Sequence, residues 1–298
     1  MKNNRASIAF TAFRVMFYVA LEQYQPDGKR LIHDEMAREM LPGRLKLLLN
    51  IFRFKPLRQG FLLLMEKGFP GVRGGLCRKC YINDRLIEAV DSGFDTVVIL
   101  GSGLDTRAYN IPQLSSLPVY EVDLPQTITY KKNKLRELYG AVPAHVRLVP
   151  MDFDKQVLEK ALKGYGYSTD QKSFYIWEGV MQYISEPAVR TVFKFLAKVK
   201  PGSRIVFTYI TRDFIDGGNL HGLDRLSKQT RSMWHFGLQP TQIDPFIEEY
   251  GWKVIEQVGA EEYRQRYLKP LGRTESVMEI ERAVVAERKA TISTENSK

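Results

Sequence analysis

Three stretches of this chain set a carboxylate at the end of an apolar run. Val119-Tyr120-Glu121-Val122 ends on Asp123, His145 to Pro150 delivers Met151-Asp152-Phe153, and Ser173 to Trp177 ends at Glu178. A fourth run, Val97-Val98-Ile99-Leu100, enters the glycine turn Gly101-Ser102-Gly103. A strand, a turn where backbone approaches a ligand, and a carboxylate about 20 residues later form the nucleotide-binding layout of doubly wound sheets. Asp123, with Leu124 beside it, is placed to accept both hydroxyl hydrogens of a ribose. For Asp123 and Asp152 the plainer role of helix N-cap stays open.

The turn discriminates between ligands. A dinucleotide site wants a third glycine at position 106, for close helix packing under a pyrophosphate. Here Thr106 stands there, flanked by Asp105 and Arg107. An acid at a turn meant to cradle phosphates is unhelpful, so a phosphate-poor nucleoside fits better, and S-adenosylmethionine is the candidate. Asp152 then accepts from the adenine amino group while Phe153 packs on the ring, and Glu178 faces the sulfonium or ammonium.

Such a methyl donor is already activated, so the protein must align an oxygen nucleophile and exclude water. A carboxylate acceptor needs no general base. A hydroxyl acceptor does, and His221, His235 and Tyr183 are the candidates; the sequence places none of them, so no catalytic residue is assigned. No metal site is expected. Cys77 and Cys80 form a C-x-x-C pair without the second pair of a zinc ribbon. Arg78 and Lys79 between them would favour a thiolate, but no thioredoxin-like strand precedes the motif.

The elements that must position these residues follow from hydrophobic spacing. Residues 1–75 are expected to form a helical extension, with Phe10, Phe13, Phe17 and Leu21 on one face. Breaks are expected at Pro26-Asp27-Gly28, Pro42-Gly43 and Lys55-Pro56. Residues 76–290 alternate helix and strand: helices to Val90 and over 126–139, 154–163, 186–199 and 241–250, and strands at 145–150, 173–177, 204–210, 252–255 and 277–287. That alternation predicts an α/β fold with a parallel, doubly wound sheet. The segment 211–240 loses periodicity and is expected to be a lid, hinged at Gly217-Gly218 and carrying His221, Arg225, Lys228, Arg231 and Trp234. Residues 291–298 form a polar tail.

At 298 residues and 44% apolar content the chain can bury a large core. Two cysteines suit a reducing compartment, and the interrupted run Ile8 to Leu21 is neither a convincing leader nor a span, so a cytoplasmic protein is expected. The net charge of +10 is concentrated between Arg44 and Lys79, where nine basic residues face one acid, Glu66. They are interleaved with leucines and phenylalanines rather than with a nucleic-acid motif. A solvated helical face is the plain interpretation; contact with anionic lipid, or with an acidic, greasy substrate, is the sharper one, and RNA comes third. No obligate protein partner is evident.

The chain resembles the leucine carboxyl methyltransferase family, which includes protein phosphatase methyltransferases and polyketide O-methyltransferases. The resemblance is carried by Leu100-Gly101-Ser102-Gly103-Leu104-Asp105-Thr106-Arg107, Tyr120-Glu121-Val122-Asp123-Leu124-Pro125 and Trp177-Glu178-Gly179-Val180-Met181-Gln182-Tyr183. His33-Asp34, Phe236-Gly237-Leu238, Arg266-Tyr267-Leu268 and Gly272-Arg273 follow in the family's order. It implies a class I methyltransferase (Rossmann-like) sheet with an antiparallel last strand, and S-adenosylmethionine as cofactor. It further implies that Arg78, which matches the first arginine of an Ala-Arg-Thr-Arg-like run, pairs with the methionine carboxylate of that cofactor. Cys80 replaces the second arginine. The expected activity is O-methylation of a carboxylate or hydroxyl on a small or lipid-like acid. Protein carboxyl methylation, RNA methylation and a non-catalytic, membrane-peripheral binding role are the alternatives.

Overall fold

The apolar runs form one seven-stranded sheet in the computed structural model, which describes residues 2–69, 71–218, 223–230 and 232–290, the side chains of 2–10, 225 and 229 excepted. Phe10, His221, Arg231 and the tail 291–298 therefore lie outside the described side chains, as does the Arg225 side chain. The strands are β1 (Thr96–Leu100), β2 (Val119–Asp123), β3 (Val146–Pro150), β4 (Ser173–Trp177), β5 (Arg204–Ile210), β6 (Trp252–Val258) and β7 (Glu281–Arg288). Their order is β3-β2-β1-β4-β5-β7-β6. Strands β1 to β5 pair in parallel, and β7 runs antiparallel to both β5 and β6. The last strand is thus antiparallel, as expected.

Helices cover both faces, which is why β1 is apolar at every position. Val98 and Leu100 pack into one core with Val122, Trp177 and Phe193; Val97 and Ile99 pack into the other with Tyr81, Leu86 and Phe174. The chain direction of the crossovers reverses between β1 and β4, which opens a crevice beyond their carboxyl ends.

Five helices precede β1: α1 (Lys2–Glu22), α2 (Met36–Glu39), α3 (Gly43–Ile51), α4 (Lys55–Gly68) and α5 (Gly75–Asp91). α1 ends before the expected break at Pro26-Asp27-Gly28, α3 and α4 start at the expected breaks Pro42-Gly43 and Lys55-Pro56, and α4 carries Pro at its first turn, where a missing N–H costs nothing. Phe17 and Leu21 of α1 join Met40, Leu49 and Leu62 in a third core. Asp34 ties this bundle to the sheet. It accepts from the Ala37 amide at 3.0 Å and from the Thr106 hydroxyl and Asn110 amide just after β1. Thr106 therefore holds the N-terminal bundle where a dinucleotide fold would have glycine.

After β1 come α6 (Arg107–Asn110), α7 (Pro125–Tyr139), α8 (Leu158–Lys163) and α9 (Glu186–Leu196). The expected helix over 154–163 begins four residues late. Residues 152–156 instead form a turn in which the Asp152 amide donates to Gln156 Oε1 and Asp154 accepts from Ser185. The segment expected to be a lid contains α10 (Arg212–Ile215) and α11 (Asp224–Thr230), and its two ends are tied by the pairing of Thr211 with Leu238. Phe214, Leu226 and Trp234 bury against Ile210 and Ile280. Helix α12 (Ile243–Glu248) is shorter than the expected 241–250, and α13 (Ala260–Tyr263) follows β6. Strand β6 runs past 255 to Val258 through an irregularity between Val254 and Glu256. The last strand begins at Glu281, not 277, because Val277 and Met278 pack against the turn at Gly71 and Gly74. No helix among the described residues is long and apolar enough to cross a membrane.

Candidate cofactor and acceptor site

The carboxyl ends of β1, β2, β3 and β4 open into one cavity of about 310 Å³, at the small end of small-molecule sites. Arg78, Gly101, Ser102, Gly103, Asp123, Leu124, Asp152, Phe153 and Glu178 all line it. Gly101 has φ +69°, and a Cβ there would lie 2.2 Å from a Val180 methyl, so the turn requires glycine. Gly103 is covered by α1, with Ala12 at 3.3 Å from where its Cβ would be. Asp123 Oδ2 accepts from the Gly103 amide and Oδ1 from the Leu124 amide, both at 2.7 Å. Burial raises its pKa against the pull of these two donors. The Thr127 hydroxyl also bonds to this carboxylate. Asp152 Oδ1 accepts weakly from the Asp154 amide at 3.3 Å, and its Oδ2 lies 3.6 Å from the exposed Lys155. The Phe153 ring packs against Trp177 at 6.3 Å.

Glu178 is surrounded by cations. Arg78 donates from Nε at 2.9 Å and lies at 2.8 Å through Nη2, Arg107 Nη1 lies at 2.9 Å and Lys79 Nζ at 3.5 Å. Burial opposes its ionisation, yet Lys79, Arg107 and Arg78 together hold the carboxyl far below the usual glutamate range. Arg78 also donates to Glu281 Oε1 at 2.5 Å, and Arg107 pairs with Asp105. Three cations thus face three carboxylates from α5, the β1 turn, β4 and β7. Glu178 is fully engaged by protein cations rather than presented alone to a cationic ligand. Arg78 reaches the cavity with two carboxylates already on it. Lys79, Asp105, Arg107 and Glu281 were not singled out as site residues from the sequence, although Asp105 and Arg107 lie inside the glycine-turn motif.

Two buried hydroxyls at this end, and Arg107 Nη2 beside them, have no hydrogen-bond partner among the described residues. The hydroxyls are those of Ser102 and Tyr263, residues that are 4% and 3% exposed. Tyr263 lines the cavity beside Glu281 and Arg78, and burial, then Glu281, pushes its pKa well above the ordinary phenol value. Unpaired buried donors cost free energy unless a ligand satisfies them. With the glycine turn and Asp123, they fit a nucleoside that carries an amino-acid tail.

The opposite wall is apolar. Met65 and Phe69 at the end of α4, Val277 and Met278, and Leu226 of the lid line it. Arg14 of α1 stands here over the Phe69 ring, 6.0 Å from its centroid, with no carboxylate partner among the described residues. Trp234 Nε1 and Gln182 Oε1 are buried and unpaired on the same side. Of the three candidate bases, Tyr183 lines the cavity and meets Trp234 edge-on at 6.2 Å. His235 is exposed and does not line it, and His221 is outside the described residues.

Cys77 and Cys80 are both buried free thiols on α5. Burial pushes Cys77 up to about 12 and raises Cys80 as well, and the Cys80 thiol donates to the Leu31 carbonyl at 3.2 Å. The flanking Arg78 and Lys79 spend their charge on Glu178, so they do not favour a thiolate at either cysteine.

A sequence profile of the leucine carboxyl methyltransferase family matches residues 12–197. A protein of Mycolicibacterium paratuberculosis is 33% identical over 266 residues, which cover 83% of this chain and 84% of that protein. One from Mycobacteroides abscessus is 27% identical over 277 residues, 89% of this chain and 90% of the other. A Bacillus subtilis protein is 37% identical over 142 residues, 47% of this chain and 45% of its own length. All three are provisionally named S-adenosyl-L-methionine-dependent methyltransferases. A solved structure from Thermobifida fusca shares the fold with a TM-score of 0.54 and 17% identity, over 93% of this chain and 94% of that one. Fold and relatives together define a class I S-adenosylmethionine-dependent methyltransferase. The chain belongs to the leucine carboxyl methyltransferase family.

Proposed function

We propose that the protein methylates an oxygen, on a carboxylate or hydroxyl, of a small or lipid-like acid. The observation that carries this reading is Arg14. It is a cavity-lining cation without a carboxylate partner among the described residues, set on an apolar wall, whereas the three inner cations are neutralised. A greasy anion satisfies both features of that wall. Gln182 and Trp234 add one acceptor and one donor for polar groups of the same molecule.

When bound, the cofactor supplies a sulfonium methyl that needs no further activation. Asp123 would hold the ribose diol, Ser102 and Tyr263 would donate to its polar groups, and Asp152 with Phe153 would receive the base. The helices of the N-terminal bundle and the lid exclude water while the acceptor oxygen is aligned. No histidine among the described residues lines the cavity, and its acids are held in ion pairs or by backbone amides. That favours an acceptor that arrives ionised, a carboxylate, with Tyr183 as the group to assist a hydroxyl. The two buried free thiols fit a reducing compartment, and we place the protein in the cytoplasm.

The test is incubation with methyl-labelled S-adenosylmethionine and fractionated cell extract. Label in a small, base-labile ester is the expected result. Label confined to protein or RNA would overturn the proposal.

A further inference from the structure

We propose that the outer face of α3 and α4 docks on an anionic lipid bilayer, lying on the surface without crossing it. Twelve large apolar side chains are exposed among the described residues, and seven of them fall between Leu47 and Leu64. Leu47 and Leu64 are each 68% exposed, and Phe54 and Leu63 63%. Leu47 and Ile51 are one turn apart on α3; Leu57 and Leu64 are two turns apart on α4, so each helix presents a stripe. Single exposed leucines are ordinary, but a contiguous cluster marks an interaction surface. The inner faces of the same helices are already used, by Leu49, Phe52 and Leu62 in the N-terminal core.

The charge on this face selects the occupant. Arg44, Arg53, Lys55 and Lys67 are exposed around the stripe, with Lys67 one turn from Leu63. The acid in α3 and α4, Glu66, is turned toward the Gly71 amide, which donates to it at 2.9 Å, and the Ser276 hydroxyl. Lys46 is paired with Glu39 at 2.5 Å. Apolar side chains rimmed by unpaired cations are the composition of a helix that rests in the headgroup layer. Two copies of so basic a face would repel each other across a two-fold axis, which argues against self-association. The exposed residues are chiefly leucine and isoleucine rather than stacking aromatics, which argues against single-stranded nucleic acid.

The far end of the same segment borders the cavity. The same α4 ends in Met65 and Phe69, which line the acceptor wall. A lipid-like acceptor would therefore enter along α4; this consequence rests on the acceptor reading above, whereas docking itself does not.

The experiment is co-sedimentation of the full chain with phosphatidylcholine vesicles, with and without phosphatidylglycerol. Binding is expected only to the anionic vesicles, and it should weaken as salt is raised. Leu47→Glu with Leu64→Glu should lower partitioning about 100-fold or more. Lys55→Ala with Lys67→Ala should lower it about 25-fold, roughly fivefold per charge. Both double variants should keep the wild-type melting temperature and cofactor affinity, because these side chains touch neither core nor cavity. Failure to co-sediment with anionic vesicles at low salt overturns the proposal. So does a dimer in sedimentation velocity that Leu64→Glu dissolves, which would give the face to a second copy. Vesicle binding without methyl transfer to any acidic small molecule would instead count against the acceptor reading alone.

Discussion

The two walls of the cavity treat charge in opposite ways. On the strand-end wall, Arg78, Lys79 and Arg107 are matched by Glu178, Glu281 and Asp105, and Asp123 is held by two backbone amides. On the wall built by α1, α4 and the lid, Arg14 stands without a carboxylate, and Trp234 Nε1 and Gln182 Oε1 without a hydrogen-bond partner, among the described residues. A wall whose groups hold one another in place is preorganised for one unchanging ligand. A wall with spare polar atoms on an apolar surface takes its definition from what it binds. The parallel sheet builds the first; helices that precede and interrupt the sheet build the second.

The sharpest way to break this contrast is Glu178→Gln, which takes the carboxylate from Lys79 and leaves Arg78 and Arg107 with one partner each, Glu281 and Asp105. We expect a loss of about 3 kcal/mol or more, read from urea unfolding. The same variant tests the sign of the pH dependence. The folded-state pKa of Glu178 is depressed below its ordinary 4.5, so its contribution is complete above that pH and is lost as pH falls below it. The stability gap between wild type and Glu178→Gln should therefore narrow as pH drops through the acid range below 4.5, and a gap independent of pH would refute the assignment. Next in size, Asp123→Ala should weaken cofactor binding about 100-fold or more by calorimetry, since it removes two charge-assisted acceptors. Unchanged affinity would remove Asp123 from the site. On the other wall, Arg14→Ala should raise the acceptor KM about tenfold and leave cofactor affinity alone; a shift in both would mean the walls are not separable. The smallest effect belongs to Tyr263→Phe. Because its hydroxyl has no protein partner, melting temperature should hold while cofactor affinity falls a few-fold.

How far the chain could be understood from its residues alone follows the same division. β1 and β2 are short runs of apolar residues flanked by turn signals, and the glycines and Asp123 are local to them, so the cofactor wall was visible in outline. Its charge cluster was not. Arg78 and Glu281 meet across 203 residues, and only the reversed order of β7 brings them together. Asp105 counted against phosphate in the sequence; the structure adds that Arg107 takes up its charge. The lid resisted because α10 and α11 are four and seven residues long, too short for a helical period to declare itself. The 154–163 helix was placed too early because the hydrogen bonds of Asp152 and Asp154, which favour a turn, outweigh the helical tendency of the residues around them.

The balanced cluster has a consequence for turnover. Arg78, Lys79 and Arg107 face Glu178, Glu281 and Asp105, whereas Asp123 on the same wall is held by neutral donors, the Gly103 and Leu124 amides and the Thr127 hydroxyl. Before transfer the methyl donor carries one net positive charge; the spent thioether carries none. A wall that is negative on balance prefers the first to the second by ordinary electrostatic attraction. Donor is therefore expected to bind more tightly than spent product, and raising the salt concentration should bring the two affinities closer together.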